Sequence, residues 1–261
     1  MGRIFLTGDC HGEFEKLKRK RFFVQKSLTK EDYVIILGDF GGVWDYRGET
    51  GEERNSLDWL EARPFTTLFV DGNHECFPRL EAYEEAEFCG GRVHVVRPSV
   101  LHLMRGEIFT LCGKKFFAFG GASSHDMPDG LLDPEKDARE IRRLRRLQRE
   151  LYLNIRFRVI GRTWWERELP SAAELANGVD HLEANDWCVD YVLSHCAPQS
   201  IVDQMRIEGY EPDCLTRYFD TLLANGLQFR RWYFGHYNED AARLWPDGYR
   251  CLDEEIIELR A

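Results

Sequence analysis

Residues 66–75 read Thr66-Thr67-Leu68-Phe69-Val70-Asp71-Gly72-Asn73-His74-Glu75, an apolar run that stops at a glycine turn bearing an amide and an imidazole. The composition of 67–70 is that of a buried strand, and Asp71-Gly72 breaks it. The same grammar recurs upstream. Residues 3–7 run into Gly8-Asp9-Cys10-His11-Gly12, and 33–37 run into Gly38-Asp39-Phe40-Gly41-Gly42. Helices are expected over 13–24 and 52–62, so the first third reads β-α-β-α-β. That order is the signature of a parallel sheet whose loops gather at one edge.

Further along, 108–112 and 116–120 flank Gly113-Lys114-Lys115, which predicts a hairpin and with it a more antiparallel second region. A helix is expected over 133–152, with Asp133 as N-cap and Pro134 in its first position. Ser171 and Glu174 have capping-box spacing and open another helix to about Asn185. Residues 188–193 and 230–234 read as strands ending at Ser194-His195 and Gly235-His236. A helix over 212–225 stops at Gly226, and Asp247-Gly248 marks a final hairpin. The expected organisation is one α/β domain over 1–261 with a mainly helical insertion over about 127–185.

Asp and His side chains gather where these strands end: Asp9, His11, Asp39, Asn73, His74, His195 and His236. Carboxylates and neutral imidazoles suit Mn, Fe, Zn or Co, and one shared carboxylate can bridge two ions. In Asp9-Cys10-His11, alternate side chains of an extended turn point to one side. Taken alone, that triplet is an ordinary turn carboxylate beside a surface histidine. Five such motifs in fixed order, each after an apolar run, are a different matter.

This order resembles the calcineurin-like metallophosphoesterase superfamily, whose pattern is D-x-H, G-D-x-x-D, G-N-H-D/E, a lone His, and G-H-x-H. The resemblance spans residues 3 to 238, and the insertion carries none of it. It implies a four-layer α/β/β/α sandwich with a two-metal site. By motif position, one divalent ion takes Asp9, His11 and Asp39, and the other takes Asp39, Asn73, His195 and His236. His74 stands beside the phosphate as proton donor or charge stabiliser, and a metal-bridging hydroxide attacks phosphorus. Mn is the expected metal, with Fe, Zn, Co and Mg as alternatives.

Two departures bear on function. Asn238 stands where the pattern has its last His, and an amide is a weaker ligand or a contact for bound water. Gly42-Val43-Trp44 stands where protein phosphatases of the superfamily have Asp-Arg-Gly, and that Arg grips phosphate. Arg47, Arg79, Arg162 and Arg167 are candidate replacements. His125, after Gly120-Gly121-Ala122-Ser123-Ser124, is a candidate at the pocket rim, whereas His94, His102 and His181 read as structural. Trp164-Trp165 is either a base-stacking lid or a core anchor.

Composition limits the rest. The chain has 261 residues, 43% hydrophobic and 13% aromatic, with 45 acidic against 35 basic side chains for a net charge of −10. A coat for nucleic acid needs a basic surface, so an acidic chain is a poor candidate for that class. Residues 139–162 nonetheless hold nine Arg and two Glu. They are read as a helix that either binds nucleic acid or is simply solvated. No apolar run is long enough to span a membrane, and Leu6 occupies the position where a myristoylation motif after Gly2 needs Ser or Thr. A cytoplasmic enzyme with eight reduced cysteines is expected. The leading function is hydrolysis of phosphomonoesters, either small phosphorylated molecules or nucleotides. A phosphodiesterase or nuclease acting on nucleotides or RNA, and a non-catalytic scaffold of the same fold, are the alternatives.

Overall fold

The computed structural model describes residues 2–205, 210–237 and 248–259. Three apolar runs form parallel neighbours at the start of the chain: β1 (Ile4–Thr7), β2 (Tyr33–Leu37) and, after helix α1 (Gly51–Glu61), β3 (Thr66–Val70). The short helix α2 (Phe77–Leu80) leads to β4 (Glu85–Phe88), β5 (Gly91–Arg97) and β6 (Val100–Leu103). Strand β6 joins β3 in parallel, and β5 and β4 continue antiparallel to the far edge. A hairpin follows, β7 (Glu107–Leu111) and β8 (Lys114–Phe119).

Next come β9 (Leu131–Leu132), helix α3 (Ala138–Leu151), β10 (Arg158–Val159) and helix α4 (Ala172–Glu183). The chain then supplies β11 (Tyr191–Ser194), α5 (Gln199–Met205), α6 (Cys214–Ala224), β12 (Arg231–Phe234), β13 (Tyr249–Cys251) and β14 (Ile257–Glu258). Among the described residues these make a seven-stranded sheet, β14-β1-β2-β3-β6-β5-β4, and a five-stranded sheet, β13-β12-β11-β8-β7. A separate two-stranded ribbon pairs β9 with β10. The class is α/β, as expected.

Strand alternation sets the packing. Ile35, Leu37, Leu68 and Val70 point to one face of the first sheet and meet Phe116, Ala118, Tyr191 and Leu193 of the second in one apolar cluster. The opposite residues of the first sheet, Val34, Ile36 and Phe69, pack with Leu57 and Leu60 of α1. Those of the second, Phe117, Val192 and Trp232, pack with Leu182, Ile201 and Leu215 from α4, α5 and α6. Both sheets are apolar on both faces, which is why their strands read as continuous apolar runs.

Local sequence explains the helix starts. Thr50 and Glu53 form a reciprocal capping box at α1, and Ser171 and Glu174 form one at α4. Elsewhere the sequence reading needs correction. Residues 13–24 do not form a helix but two 3-10 turns, Glu15–Leu17 and Phe23–Ser27. The Gln25 amide donates to the carbonyls of Leu17 and Phe22 at 2.8 and 2.9 Å, satisfying groups a helical ladder would use. Helix α3 starts later than 133 because the Asp133 carboxylate accepts from the amides of Glu135 and Lys136 and closes its own turn. It ends at Leu151, with Tyr152 in the left-handed region at φ 51°, so 139–162 is not one helix.

The hairpin β7–β8 is present, yet the second sheet is otherwise parallel through β8, β11, β12 and β13. Part of the expected Asp247-Gly248 hairpin lies outside the described residues, and the strand after it pairs parallel with β12. All eight cysteines are free thiols, and burial pushes the Cys10 thiol up to about 12 and that of Cys196 well above its ordinary range. No described helix is long and apolar enough to cross a membrane.

Trp232 is fully buried, donates its indole N–H to Ser194 Oγ at 2.7 Å and meets Phe219 edge-on. Trp232→Ala should therefore cost about 3–5 kcal/mol in denaturant unfolding. A loss below about 1 kcal/mol would contradict this packing.

Candidate metal centre

In an α/β sheet the loops after parallel strands share one edge, and ligands bind there. Here five such loops converge from two sheets. Asp9 and His11 follow β1, Asp39 follows β2, and Asn73 and His74 follow β3. His195 follows β11 and His236 follows β12.

Backbone bonds lock the loops together. The amides of Cys10 and His11 both donate to the Asp39 carbonyl, at 3.0 and 2.7 Å, and Gly235 N donates to the His195 carbonyl at 3.0 Å. Across the sheets, His236 N donates to Asp9 Oδ1 at 3.0 Å. The His195 ring donates from Nδ1 to the Leu37 carbonyl at 2.8 Å, which turns Nε2 inward. Lys16 is buried beneath, its ammonium bound by the carbonyls of Gly8, Asp9 and Asp253. His11, Asp39 and His236 all sit at positive φ, 48°, 42° and 70°, a concentration of backbone strain at one spot.

The side-chain donors form two groups that share Asp39, one with His11 and His74 and one with His195 and His236. Within the second, His195 Nε2 lies 3.3 Å from Asp39 Oδ1, 3.1 Å from His236 Nδ1 and 3.3 Å from Asn73 Oδ1. The Asn73 amide is turned so that its nitrogen donates to Ser124 Oγ at 3.1 Å, presenting its oxygen to the centre. His11 Nε2 lies 3.7 Å from Asp39 Oδ2 and 3.9 Å from Asp9 Oδ2. His74 therefore shares the first group, while Asp9 flanks it.

Three glycines make this density possible. A Cβ on Gly72 would stand 2.1 Å from Asp39 Oδ1, one on Gly38 would stand 2.1 Å from His195 Nδ1, and one on Gly235 would stand 2.4 Å from Asp9 Oδ1. The glycines of the sequence motifs are thus the cradle in which the donors meet.

The charge balance fits a cation. Asp9 and Asp39 are buried, and their only ion-pairing partners among the described residues are imidazoles. Burial and the neighbouring Asp39 push Asp9 up to about 6 despite His195. Burial also acts on Asp39, but the imidazoles of His195 and His74 outweigh it and hold that carboxyl well below its ordinary range. His195 is raised to about 9, the two carboxylates overcoming its burial, whereas burial and His195 keep His236 well below its usual value. One imidazole is thus drawn to carry a positive charge between buried carboxylates, the position a divalent ion would fill. The N/O donor set suits Mn, Fe, Zn or Co.

The other predicted residues are placed as follows. His125 is at the rim, its ring 4.6 Å from that of His236, beside a cavity of about 170 Å³. Arg47 is exposed and clasps Asp45 with two bonds, at 3.0 and 2.7 Å. Arg79 donates to Glu53 and the Asp45 carbonyl, fixing the loop before α1. Arg162 lies over Tyr46, and Arg167 is paired with Glu81 and Glu174. Trp164 is half-buried beside Trp165 along a cavity of about 430 Å³. Asn238 lies outside the described residues. Of the four arginine candidates, Arg47, Arg79 and Arg167 bind other carboxylates rather than turning to the centre.

Two residues that sequence reading did not single out touch His74. Arg158 Nη2 lies 3.2 Å from His74 Nδ1, and Asp126 Oδ2 lies 3.6 Å from His74 Nε2. Trp44 stacks on the same ring at a centroid distance of 5.5 Å. Glu168 accepts from Ser124 N at 3.1 Å and so supports the residue that orients Asn73, while burial raises its own carboxyl to about 8. Arg158 lay within the arginine-rich stretch, with no local signal to set it apart from its neighbours.

Gly72→Ala should weaken Mn binding about 10–100-fold by calorimetry, the usual effect of disturbing the groups that orient metal ligands. Gly51→Ala, whose added methyl meets nothing within 4 Å, is the control and should bind as wild type does. Equal affinity for Mn in the two variants would contradict the cradle.

No curated protein sequence matches the chain. The family model for calcineurin-like phosphoesterases matches residues 2–237, a span that takes in all five strand-end loops. The chain belongs to the calcineurin-like phosphoesterase family, whose members are metal-dependent phosphoester hydrolases.

Proposed function

We propose that this chain hydrolyses phosphomonoesters, small phosphorylated molecules or nucleotides, using two divalent ions, of which Mn is the first choice. The observation that carries this reading is the pair of donor groups sharing Asp39, one with His11 and His74 and the other with His195 and His236. Asp9, His11 and Asp39 would hold one ion, and Asp39, Asn73, His195 and His236 the other. Divalent ions held there supply charge that polarises phosphoryl oxygens and acidifies water near neutral pH.

The protein's own groups do the rest. His195 is oriented by its bond to the Leu37 carbonyl and keeps Nε2 free to act as a ligand. His74 is set by its backbone N–H, which donates to Asp39 Oδ1 at 2.8 Å, and by the Trp44 face. Its side chain is 24% exposed, so the ring borders both the donors and the outside. From there it can give a proton to the departing oxygen or stabilise charge on phosphorus. A second reading, cleavage of diesters in nucleotides or RNA, draws on α3, which turns Arg142, Arg143, Arg145, Arg146 and Arg149 to the outside.

Metal-stripped protein reloaded with Mn should turn over a chromogenic phosphomonoester faster than a chromogenic phosphodiester. His74→Asn should lower kcat about 10²–10⁴-fold while Mn affinity is kept. Wild-type turnover in His74→Asn would remove His74 from the chemistry. Faster diester cleavage would favour the second reading. No turnover with Mn, Mg, Zn, Co or Fe would contradict the hydrolase.

A further inference from the structure

Arg158 is contributed by β10, in the ribbon between the hairpin β7–β8 and α4, and its side chain is only 7% exposed. The ribbon holds it firmly: Arg158 N donates to the Gly130 carbonyl at 3.1 Å, and Val159 N donates to Thr163 Oγ1 at 2.8 Å. Its guanidinium pairs with Asp126, 2.8 Å from Oδ2 and 3.0 Å from Oδ1, and donates to the Thr163 carbonyl at 3.2 Å. The same Nη2 that pairs with Asp126 also faces both ring nitrogens of His74, and the Trp44 ring lies 5.7 Å away. His74 Nε2 is in turn 3.9 Å from Asp39 Oδ2. One imidazole therefore separates this guanidinium from the carboxylate shared by both donor groups.

A guanidinium is always charged, and burial makes that charge costly unless anions surround it. Asp126 supplies one, and it is itself 35% exposed. An imidazole nitrogen can accept a hydrogen bond from the guanidinium but brings it no negative charge. Two such groups held in contact beside a metal centre make sense when an anion sits against both. The planar fork of Arg matches two oxygens of a phosphoryl group.

We infer that Arg158 grips the phosphoryl oxygens of the substrate and that Asp126 positions its guanidinium. This rests on the phosphoester reading above and assigns the substrate contact to the segment between the hairpin and α4. A monoester carries one more negative oxygen than a diester, so a grip of this kind favours monoesters.

The test uses the full-length, Mn-loaded chain, with inorganic phosphate as the probe. By calorimetry, Arg158→Ala should bind phosphate at least about tenfold more weakly, the cost of one or two charge-assisted hydrogen bonds. Its Mn affinity should stay within about threefold of wild type, since Arg158 is not among the proposed ligands. In turnover the loss should fall more on KM for the monoester than for the diester. Asp126→Asn should weaken phosphate binding by a smaller factor, and the double variant should be no weaker than Arg158→Ala alone.

Should Arg158→Ala fail to fold, Arg158→Lys decides. It keeps the charge but not the fork, and should still lose phosphate affinity. Wild-type phosphate affinity in either folded variant overturns the inference, and full additivity in the double variant overturns the role of Asp126. Phosphate bound through Arg158 by a protein that turns over neither ester would uphold the inference and sink the hydrolase reading instead.

Discussion

The carboxylate of Asp39, buried with no lysine or arginine paired to it among the described residues, is the constraint on which the centre depends. Isolated charges of this kind are expensive inside a protein. This one is sustained by the His74 amide at 2.8 Å and by His195 at 3.3 Å, with His11 further off at 3.7 Å. Its own backbone is in the left-handed region at φ 42°, which for a residue with a side chain costs about 1–2 kcal/mol. Its carbonyl repays some of that by accepting from Cys10 and His11. Strain and buried charge are thus concentrated at one residue, and the rest of the molecule is arranged to hold it.

That arrangement is divided between the strand-end edge and the segment after β8. The parallel strands, packed face to face through one apolar cluster, fix where Asp9, Asp39, Asn73, His195 and His236 begin. Glycines 38, 72 and 235 let the side chains come close enough to meet. The segment after β8 then reaches back. Glu168 supports Ser124, which turns Asn73, while Asp126 and Arg158 stand against His74. The family match, over residues 2–237, covers both.

The strand-end motifs were legible in sequence because each couples a buried apolar run to a turn, four of the five with a glycine, and both parts follow local rules. The capping boxes at Thr50 and Ser171 were legible for the same reason. Long-range choices were not. Nothing near Gln25 announces that its amide will take helix-forming carbonyls, and a hairpin at Gly113 does not reveal that three of the four pairings in its sheet are parallel. Arg158 is one of nine arginines in its stretch, and only tertiary placement separates it from those on the open face of α3. Arg47, Arg79 and Arg167 looked equally available, yet carboxylates close to them in the fold had claimed them.

The most direct test of the shared carboxylate is an anomalous difference map from crystals of the Mn-loaded protein. Two peaks are expected, one on each side of Asp39 and each within about 2.0–2.4 Å of an Asp39 oxygen. One peak should also contact His11, and the other His195 and His236. A map with Mn bound elsewhere, or with no peak in contact with Asp39, would contradict the centre described here.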